Sequence, residues 1–153
     1  MDGNSILFLT WVDSKIQNIA LKRKKCLILD LDNTLWGGVL GEEGINGIQI
    51  GGDYPGKAFL YFQEALSALS KEGIILSVCS KNNEEDVFEA WEQNPFMVLR
   101  KKDFVAIRIN WNDKASNIVM AIGCVSDGKP MLAVMLGDDI VARGADAGAV
   151  VRE

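Results

Sequence analysis

Residues 26–36 of the chain read Cys-Leu-Ile-Leu-Asp-Leu-Asp-Asn-Thr-Leu-Trp, an apolar run followed by two aspartates. The apolar first part is typical of a strand buried on both faces of a parallel sheet. Asp30 ends that strand, and Asp32 follows it with one residue between them. Because ligand crevices of open α/β sheets lie at the carboxyl ends of the strands, we expect both carboxylates to face a substrate. Two close carboxylates repel each other, so either one is protonated or a hard cation such as Mg²⁺ lies between them.

The length and composition predict a single domain that binds neither nucleic acid nor membrane. A chain of 153 residues with 48% hydrophobic residues can fill one core but not two ordinary domains. The net charge of −5 argues against a nucleic-acid surface, because neutralising phosphates requires clustered Lys and Arg. The apolar run over residues 6–12 is too short to span a membrane.

The cysteine and histidine content limits which side chains can act as catalytic groups. The cysteines, Cys26, Cys79 and Cys124, lie in or beside apolar runs, which predicts a reducing, cytoplasmic compartment rather than a disulfide framework. The chain has no histidine. Any general acid or base is therefore a carboxylate, a lysine, a tyrosine or a cysteine.

Hydrophobic periodicity predicts an α/β domain with a doubly wound parallel sheet. We expect residues 1–25 to form an amphipathic helix packed on a domain that spans residues 26–153. Between residues 36 and 55, glycines and short β-type pieces such as Val39-Leu40 predict a hairpin flap over the Asp pair. The other predicted elements are a helix over 56–71 and strands over 74–79, 104–109 and 131–136.

The second predicted strand ends at Ser80-Lys81-Asn82-Asn83, directly before acidic residues that begin a helix. A hydroxyl and free backbone N–H groups at a helix N-terminus bind anions, so this junction predicts a phosphate site. The alternative is that Ser80 serves only as the N-cap of the helix.

Charged residues also follow the two later strands. The strand over 104–109 is less central because Arg108 interrupts it. After it, Asn112 is a predicted helix N-cap and Lys114 lies in the first turn, where a cation opposes the helix dipole. This unfavourable position favours a function for Lys114, the alternative being a solvated surface lysine. Asp138 follows the last strand and either completes a Mg²⁺ site or belongs to a simple turn.

These residues together resemble the motifs of a known superfamily. The segment Asp30-Leu31-Asp32-Asn33-Thr34 resembles the first motif of the haloacid dehalogenase (HAD) superfamily, which is mostly phosphatases and phosphotransferases. Ser80, Lys114 and Asp138 resemble its second, third and fourth motifs. An Asp/Asn turn that caps a helix is the alternative interpretation of the first segment.

Longer stretches resemble one branch of that superfamily. Residues 30–44, which continue through Trp-Gly-Gly, and residues 78–84 are similar to the FkbH-like branch (HAD subfamily IIIC). Its members load a glycerate-derived acyl unit onto acyl carrier proteins. The similarity departs from the branch at residues 138–141, where Asp-Asp-Ile-Val replaces the usual Asp-Asp-Asn-Pro.

The resemblance implies a Rossmann-like sheet of the HAD type with Mg²⁺ as cofactor. The intervals between the motifs are already filled by the predicted elements, so we expect no cap domain and an open crevice that suits a large substrate. The implied catalytic residues are Asp30, Asp32 and Lys114; the implied substrate-binding residues are Thr34, Trp36, Cys79, Ser80, Lys81 and Asn82; the implied metal ligands are Asp30, Asp32 and Asp138.

The function that the resemblance implies is phosphoryl transfer through an aspartyl-phosphate on Asp30, with Asp32 as acid and base. The partners are then a phosphorylated small molecule and an acyl carrier protein, and the alternatives are a non-catalytic docking module and an unrelated small-molecule phosphatase. Trp36 either forms one wall of the site or is a residue of the hydrophobic core. Cys79 is either a buried sulfur or a thiolate that carries the acyl unit, activated by Lys81 or Lys114.

Overall fold

A computed structural model describes residues 26–126 and 133–136. In chain order the elements are β1 (Cys26–Leu29), α1 (Leu40–Glu43), α2 (Gly56–Lys71), β2 (Ile75–Ser80), α3 (Glu84–Gln93), a 3₁₀ turn (Lys101–Asp103), β3 (Ala106–Ile109), α4 (Lys114–Ser126) and β4 (Ala133–Leu136). The helix predicted for residues 1–25 and the predicted ligand Asp138 lie outside the described residues.

The described strands form one parallel sheet in the order β3-β2-β1-β4. At the centre, Leu27 of β1 lies beside Leu76 of β2 on one side and beside Val134 of β4 on the other. The chain therefore runs outward from β1 to β3 and then returns to the far side of β1, which is the strand order of a doubly wound sheet. This confirms the predicted α/β architecture, and β3 lies at an edge of the described sheet, as the interruption by Arg108 indicated.

Side-chain alternation divides the helices between the two faces of the sheet. Val78 packs into one buried cluster with Leu66 of α2 and Trp91 of α3. Cys79, the next residue, points to the opposite face, where its Sγ lies 3.8 Å from the carbonyl oxygen of Lys114 in α4. The helices α2 and α3 thus cover one face and α4 covers the other.

The segment between β1 and α2 agrees only in part with the predicted flap. Gly37 and Gln49 exchange two backbone hydrogen bonds of 2.8 Å, so the segment does fold back on itself. However, Leu40–Glu43 is a helical turn, and the prediction of β-structure at Val39-Leu40 was wrong. The turn is closed by backbone hydrogen bonds from Glu43 to Val39 at 2.9 Å and from Gly44 to Leu40 at 2.9 Å.

The remaining described elements lie close to their predicted positions. The helix α2 spans Gly56–Lys71, as predicted, and β2 begins and ends one residue later than predicted. The strand β3 begins at Ala106, two residues later than predicted, because the 3₁₀ turn precedes it. No helix in the described part of the chain is long and apolar enough to cross a membrane.

Gln63 is a fully buried polar residue in α2 that the sequence analysis did not identify. Its Nε2 donates to the Leu35 carbonyl oxygen at 2.7 Å. Its Oε1 accepts from the backbone N–H groups of Val98, at 3.1 Å, and Leu99, at 2.9 Å. One side-chain amide thereby ties the segment that follows Asp32 to the loop that follows α3.

Candidate active site

The carboxyl ends of the strands bring predicted site residues together. Asp30 follows β1, Ser80 ends β2, and Lys114 begins the helix after β3. The Nζ atom of Lys114 lies 2.7 Å from Oδ2 of Asp30, and 15% and 13% of these side chains are exposed. Oδ1 of Asp30 accepts a hydrogen bond of 2.8 Å from the backbone N–H of Leu31. The Asp30 carboxylate is therefore held through both oxygens while it keeps access to solvent.

The carboxylate of Asp32 is held by donors from three parts of the chain. Its Oδ1 accepts hydrogen bonds of 3.0 Å from the Trp36 indole and from the backbone N–H of Leu40. Its Oδ2 accepts one of 2.9 Å from the Asn82 side-chain amide. These donors fix the orientation of Asp32 independently of the ion pair at Asp30.

Ser80 and Asn82, both predicted to bind phosphate, lie beside Asp32. Asn82 is 4% exposed, and its Nδ2 is also 3.5 Å from the Ser80 hydroxyl oxygen. Lys81, between them, is exposed. The helix α3 begins after Asn83, so the alternative in which Ser80 is its N-cap was wrong. The Ser80 hydroxyl thus contacts Asn82, which in turn donates to Asp32, and the phosphate-binding role of Ser80 stays a prediction.

Trp36 is 0% exposed, and its indole N–H donates to Asp32. This burial favours the alternative of a core residue. A substrate-binding role for Trp36 stays a prediction. Thr34 is also buried, and its Oγ1 has no hydrogen-bond partner within the described residues. A substrate-binding role for Thr34 stays a prediction.

The thiol of Cys79 is not activated. Burial raises its pKa to about 11, and this outweighs the opposing attraction of the Lys114 ammonium. The predicted lowering of the thiol pKa by a neighbouring lysine was wrong, because desolvation of the thiolate is the larger effect. The position of Cys79 on the α4 face of the sheet favours the alternative of a buried sulfur.

The helix that carries Lys114 is capped by Asp113, one residue later than the predicted cap Asn112. Oδ2 of Asp113 accepts hydrogen bonds from the backbone N–H of Ser116 at 3.0 Å and from its hydroxyl at 3.1 Å. These bonds hold the pKa of Asp113 below its ordinary value, and attraction by Lys81 adds to the effect. The Asp113 carboxylate offsets the unfavourable placement of the Lys114 cation at a helix N-terminus.

Trp111, for which the sequence pattern indicated no function, joins the loops that follow β2 and β3. Its Nε1 donates to Oδ1 of Asn83 at 3.0 Å, and the backbone N–H of Asn110 donates to the Ser80 carbonyl oxygen at 3.2 Å. The indole is nevertheless 67% exposed. An aromatic residue in a polar loop, three residues before Lys114, was the available sequence signal.

The donor chemistry of the site fits Mg²⁺. Asp30 and Asp32 supply hard oxygen atoms, the kind of ligand that Mg²⁺ prefers in proteins, and the Asp30 carboxylate beside Lys114 is partly accessible to solvent. No group of three His, Cys, Asp or Glu side chains suited to a metal occurs in the part of the chain that the structure describes. The third predicted ligand, Asp138, lies outside that part.

Comparisons with known proteins link this arrangement to one solved structure. No protein-family model matches the chain, and no match was found among curated proteins. The crystal structure of the N-terminal part of a Bacteroides fragilis protein, which contains a phosphatase domain and is complexed with Mg, matches with a TM-score of 0.73 and 46% sequence identity. The match covers 79% of this chain and 32% of that chain, so this chain spans about a third of the length of its relative.

Proposed function

We propose that this chain is a Mg²⁺-dependent phosphatase or phosphotransferase domain of the HAD type, with Asp30 as its nucleophile. The observation that carries the proposal is the pairing of Asp30 with Lys114 at the carboxyl ends of the strands, beside the fixed carboxylate of Asp32. The similarity at 46% identity to a structure that contains a phosphatase domain supports it.

In the proposed first step, a carboxylate oxygen of Asp30 attacks phosphorus in line with the leaving oxygen. The bond from Asp30 to phosphorus forms as the bond to the leaving group breaks, and Asp32 gives its proton to the leaving oxygen. In the second step, water attacks the aspartyl-phosphate and passes its proton to Asp32, which releases phosphate and restores both carboxyl groups. The hydrogen bonds from Trp36, Leu40 and Asn82 hold the Asp32 side chain in one orientation, which supports its assignment to both proton transfers.

The equatorial phosphoryl oxygens carry most of the negative charge during transfer, so cations and hydroxyl or amide donors stabilise the transition state. In this proposal Lys114 and Ser80 supply these contacts, together with Lys81 and Asn82 on the loop after β2; the ion pair of Lys114 with Asp30 supports the role of Lys114. In this proposal Mg²⁺ is held by the Asp30 carboxylate, the Asp32 main-chain carbonyl and Asp138. When bound, it neutralises charge between the anionic nucleophile and the anionic substrate.

The finer proposal is that of the FkbH-like resemblance, in which a glyceryl unit passes from a phosphorylated glycerate to an acyl carrier protein. It rests on residues 30–44 and 78–84. The raised pKa of Cys79 removes the support for an acyl-carrying thiol on this chain. The coarser activity, release of phosphate, is therefore tested first.

The deciding experiment measures Mg²⁺-dependent phosphate release from a panel of phosphate esters and acyl phosphates, including 1,3-bisphosphoglycerate with and without a carrier protein. We expect activity in the wild type and its loss in Asp30→Asn, which removes the nucleophile and conserves side-chain volume. Asp53→Asn, which changes an exposed carboxylate in the segment before α2, is the matched control and should behave as wild type. Undiminished activity in Asp30→Asn would exclude the aspartyl-phosphate route, and inactivity of the wild type on the whole panel would favour a docking module.

A further inference from the structure

We infer that Trp111 is a specificity-determining residue of the proposed site, and that it selects phosphate esters whose leaving group carries a flat, apolar ring. This inference rests on the proposed function. It begins from the unusual position of Trp111, whose large apolar side chain is 67% exposed on a loop that also carries site residues.

Trp111 is fixed although it is exposed. Its indole N–H donates to Asn83 Oδ1 at 3.0 Å, and the Nδ2 of the same Asn83 donates to Asp86 Oδ2 at 3.1 Å. The acceptor is thus itself oriented by the first turn of α3. An exposed side chain ordinarily moves among rotamers, so a hydrogen bond to an oriented acceptor holds the indole ring in one place.

The fixed ring is tied to the catalytic groups through two short stretches of chain. Asn82, the neighbour of Asn83, donates to Asp32, and Lys114, three residues beyond Trp111, pairs with Asp30. Trp111 therefore lies on the loops that hold both carboxylates, at the edge of the sheet where a phosphoryl group is attacked. Other exposed aromatic residues, such as Tyr61 on α2, lie on elements that carry no site residue.

The chemistry of the ring indicates its ligand. An indole face offers a flat apolar surface that stacks on aromatic rings and gains little from a small polyol. The phosphoryl group of the substrate is held by charged and hydroxyl groups, so the exposed ring is left to contact the leaving group. A leaving group with a planar ring fits the phosphoryl-binding groups and the exposed indole together, so this inference rests on the coarser phosphatase activity and stands as an alternative to the phosphorylated glycerate.

The test measures kcat/KM for two esters, naphthyl phosphate and glycerol phosphate, in the presence of Mg²⁺. The selectivity is the ratio of kcat/KM for naphthyl phosphate to kcat/KM for glycerol phosphate. The ratio for each variant is divided by that of the wild type, which removes the different intrinsic reactivities of the esters. We expect Trp111→Ala to lower this selectivity about tenfold, mainly through a higher KM for naphthyl phosphate. Trp111→Phe, which keeps a ring but loses the bond to Asn83, should show a loss of selectivity intermediate between that of Trp111→Ala and the wild type. Tyr61→Ala is the matched control and should keep the wild-type ratio.

The outcomes separate this inference from the proposed function. Equal losses on both esters in Trp111→Ala would show that Trp111 only positions the loops, and an unchanged ratio would show no contact with the leaving group. Either result overturns the inference while the phosphatase proposal stands. Failure of the wild type to release phosphate from either ester, with activity on other members of the panel, overturns this inference alone, whereas inactivity on the whole panel overturns the proposed function and this inference with it.

Discussion

The ammonium of Lys114 lies 2.7 Å from Oδ2 of Asp30, a residue 84 positions earlier in the chain. The pair joins the end of β1 to the start of α4, so the sheet order determines whether it forms. A lysine in the first turn of a helix is disfavoured by the helix dipole. The Asp113 cap and the Asp30 carboxylate both offset that cost, which agrees with a functional role for the lysine.

Lys114→Met should lower kcat by about 100-fold or more, because it removes the cation that stabilises the transferring phosphoryl group. Lys114→Arg should not restore the rate, since a planar guanidinium cannot replace a compact ammonium at the same point. The rate of phosphate release at saturating substrate gives kcat for both variants. Lys102→Met, which changes an exposed lysine on the 3₁₀ turn, serves as the control. A wild-type kcat in Lys114→Met would remove Lys114 from the mechanism.

Mg²⁺ should raise the Tm of the wild type, because a ligand that binds the native state stabilises it by mass action. The expected gain is about 2.7 kcal/mol at a concentration of about 100 times Kd. Asp138→Ala should abolish most of that shift, and Asp139→Ala should preserve it. Scanning calorimetry with and without Mg²⁺ measures the shifts. The reverse pattern would identify Asp139 as the ligand, and equal shifts in all three proteins would mean that the metal binds elsewhere.

Gln63→Leu should destabilise the fold by about 3 kcal/mol, because it leaves the Leu35 carbonyl and the Val98 and Leu99 N–H groups buried without partners. Urea denaturation measures the free energy of unfolding. Gln93→Leu is the control, since Gln93 is exposed at the end of α3 and bonds a neighbouring side chain. Equal stabilities of the two variants would show that the three backbone groups find other partners.

The sequence predicted those parts of the site that depend on one strand and the residue after it. Asp30, Ser80 and Lys114 each follow or end an apolar run, and parallel strands in one sheet bring their carboxyl ends to one edge. Their meeting therefore follows from local pattern plus sheet direction. Which oxygen of Asp30 pairs with Lys114 depends on side-chain packing that no local pattern contains.

The parts that the sequence did not predict depend on contacts across the fold. The Asp32 carboxylate is oriented by Trp36, which lies in the adjacent loop, and by Asn82, which lies beyond β2.

The role of Gln63 did have a local signal in the sequence. It lies four residues after Phe59 and three before Leu66, so it is a polar residue on the apolar stripe of α2. A buried amide at such a position needs hydrogen-bond partners, although periodicity cannot name them.

Cys79 is expected to be an inert thiol in the folded protein. Burial raises its pKa from the ordinary 9.0 to about 11, so the folded state keeps the proton at a pH where the unfolded chain releases it. The stabilising contribution is therefore complete below pH 9.0 and is lost as the pH rises toward about 11. Cys79→Ala should show a smaller decline of stability across that interval, measured by urea denaturation at each pH.

At about pH 8, iodoacetamide should modify Cys79 in denatured but not in native protein, as followed by peptide mass spectrometry. Alkylation of Cys79 in the native protein at the rate of an exposed cysteine would contradict its burial and would restore the hypothesis of a thiol that carries an acyl group.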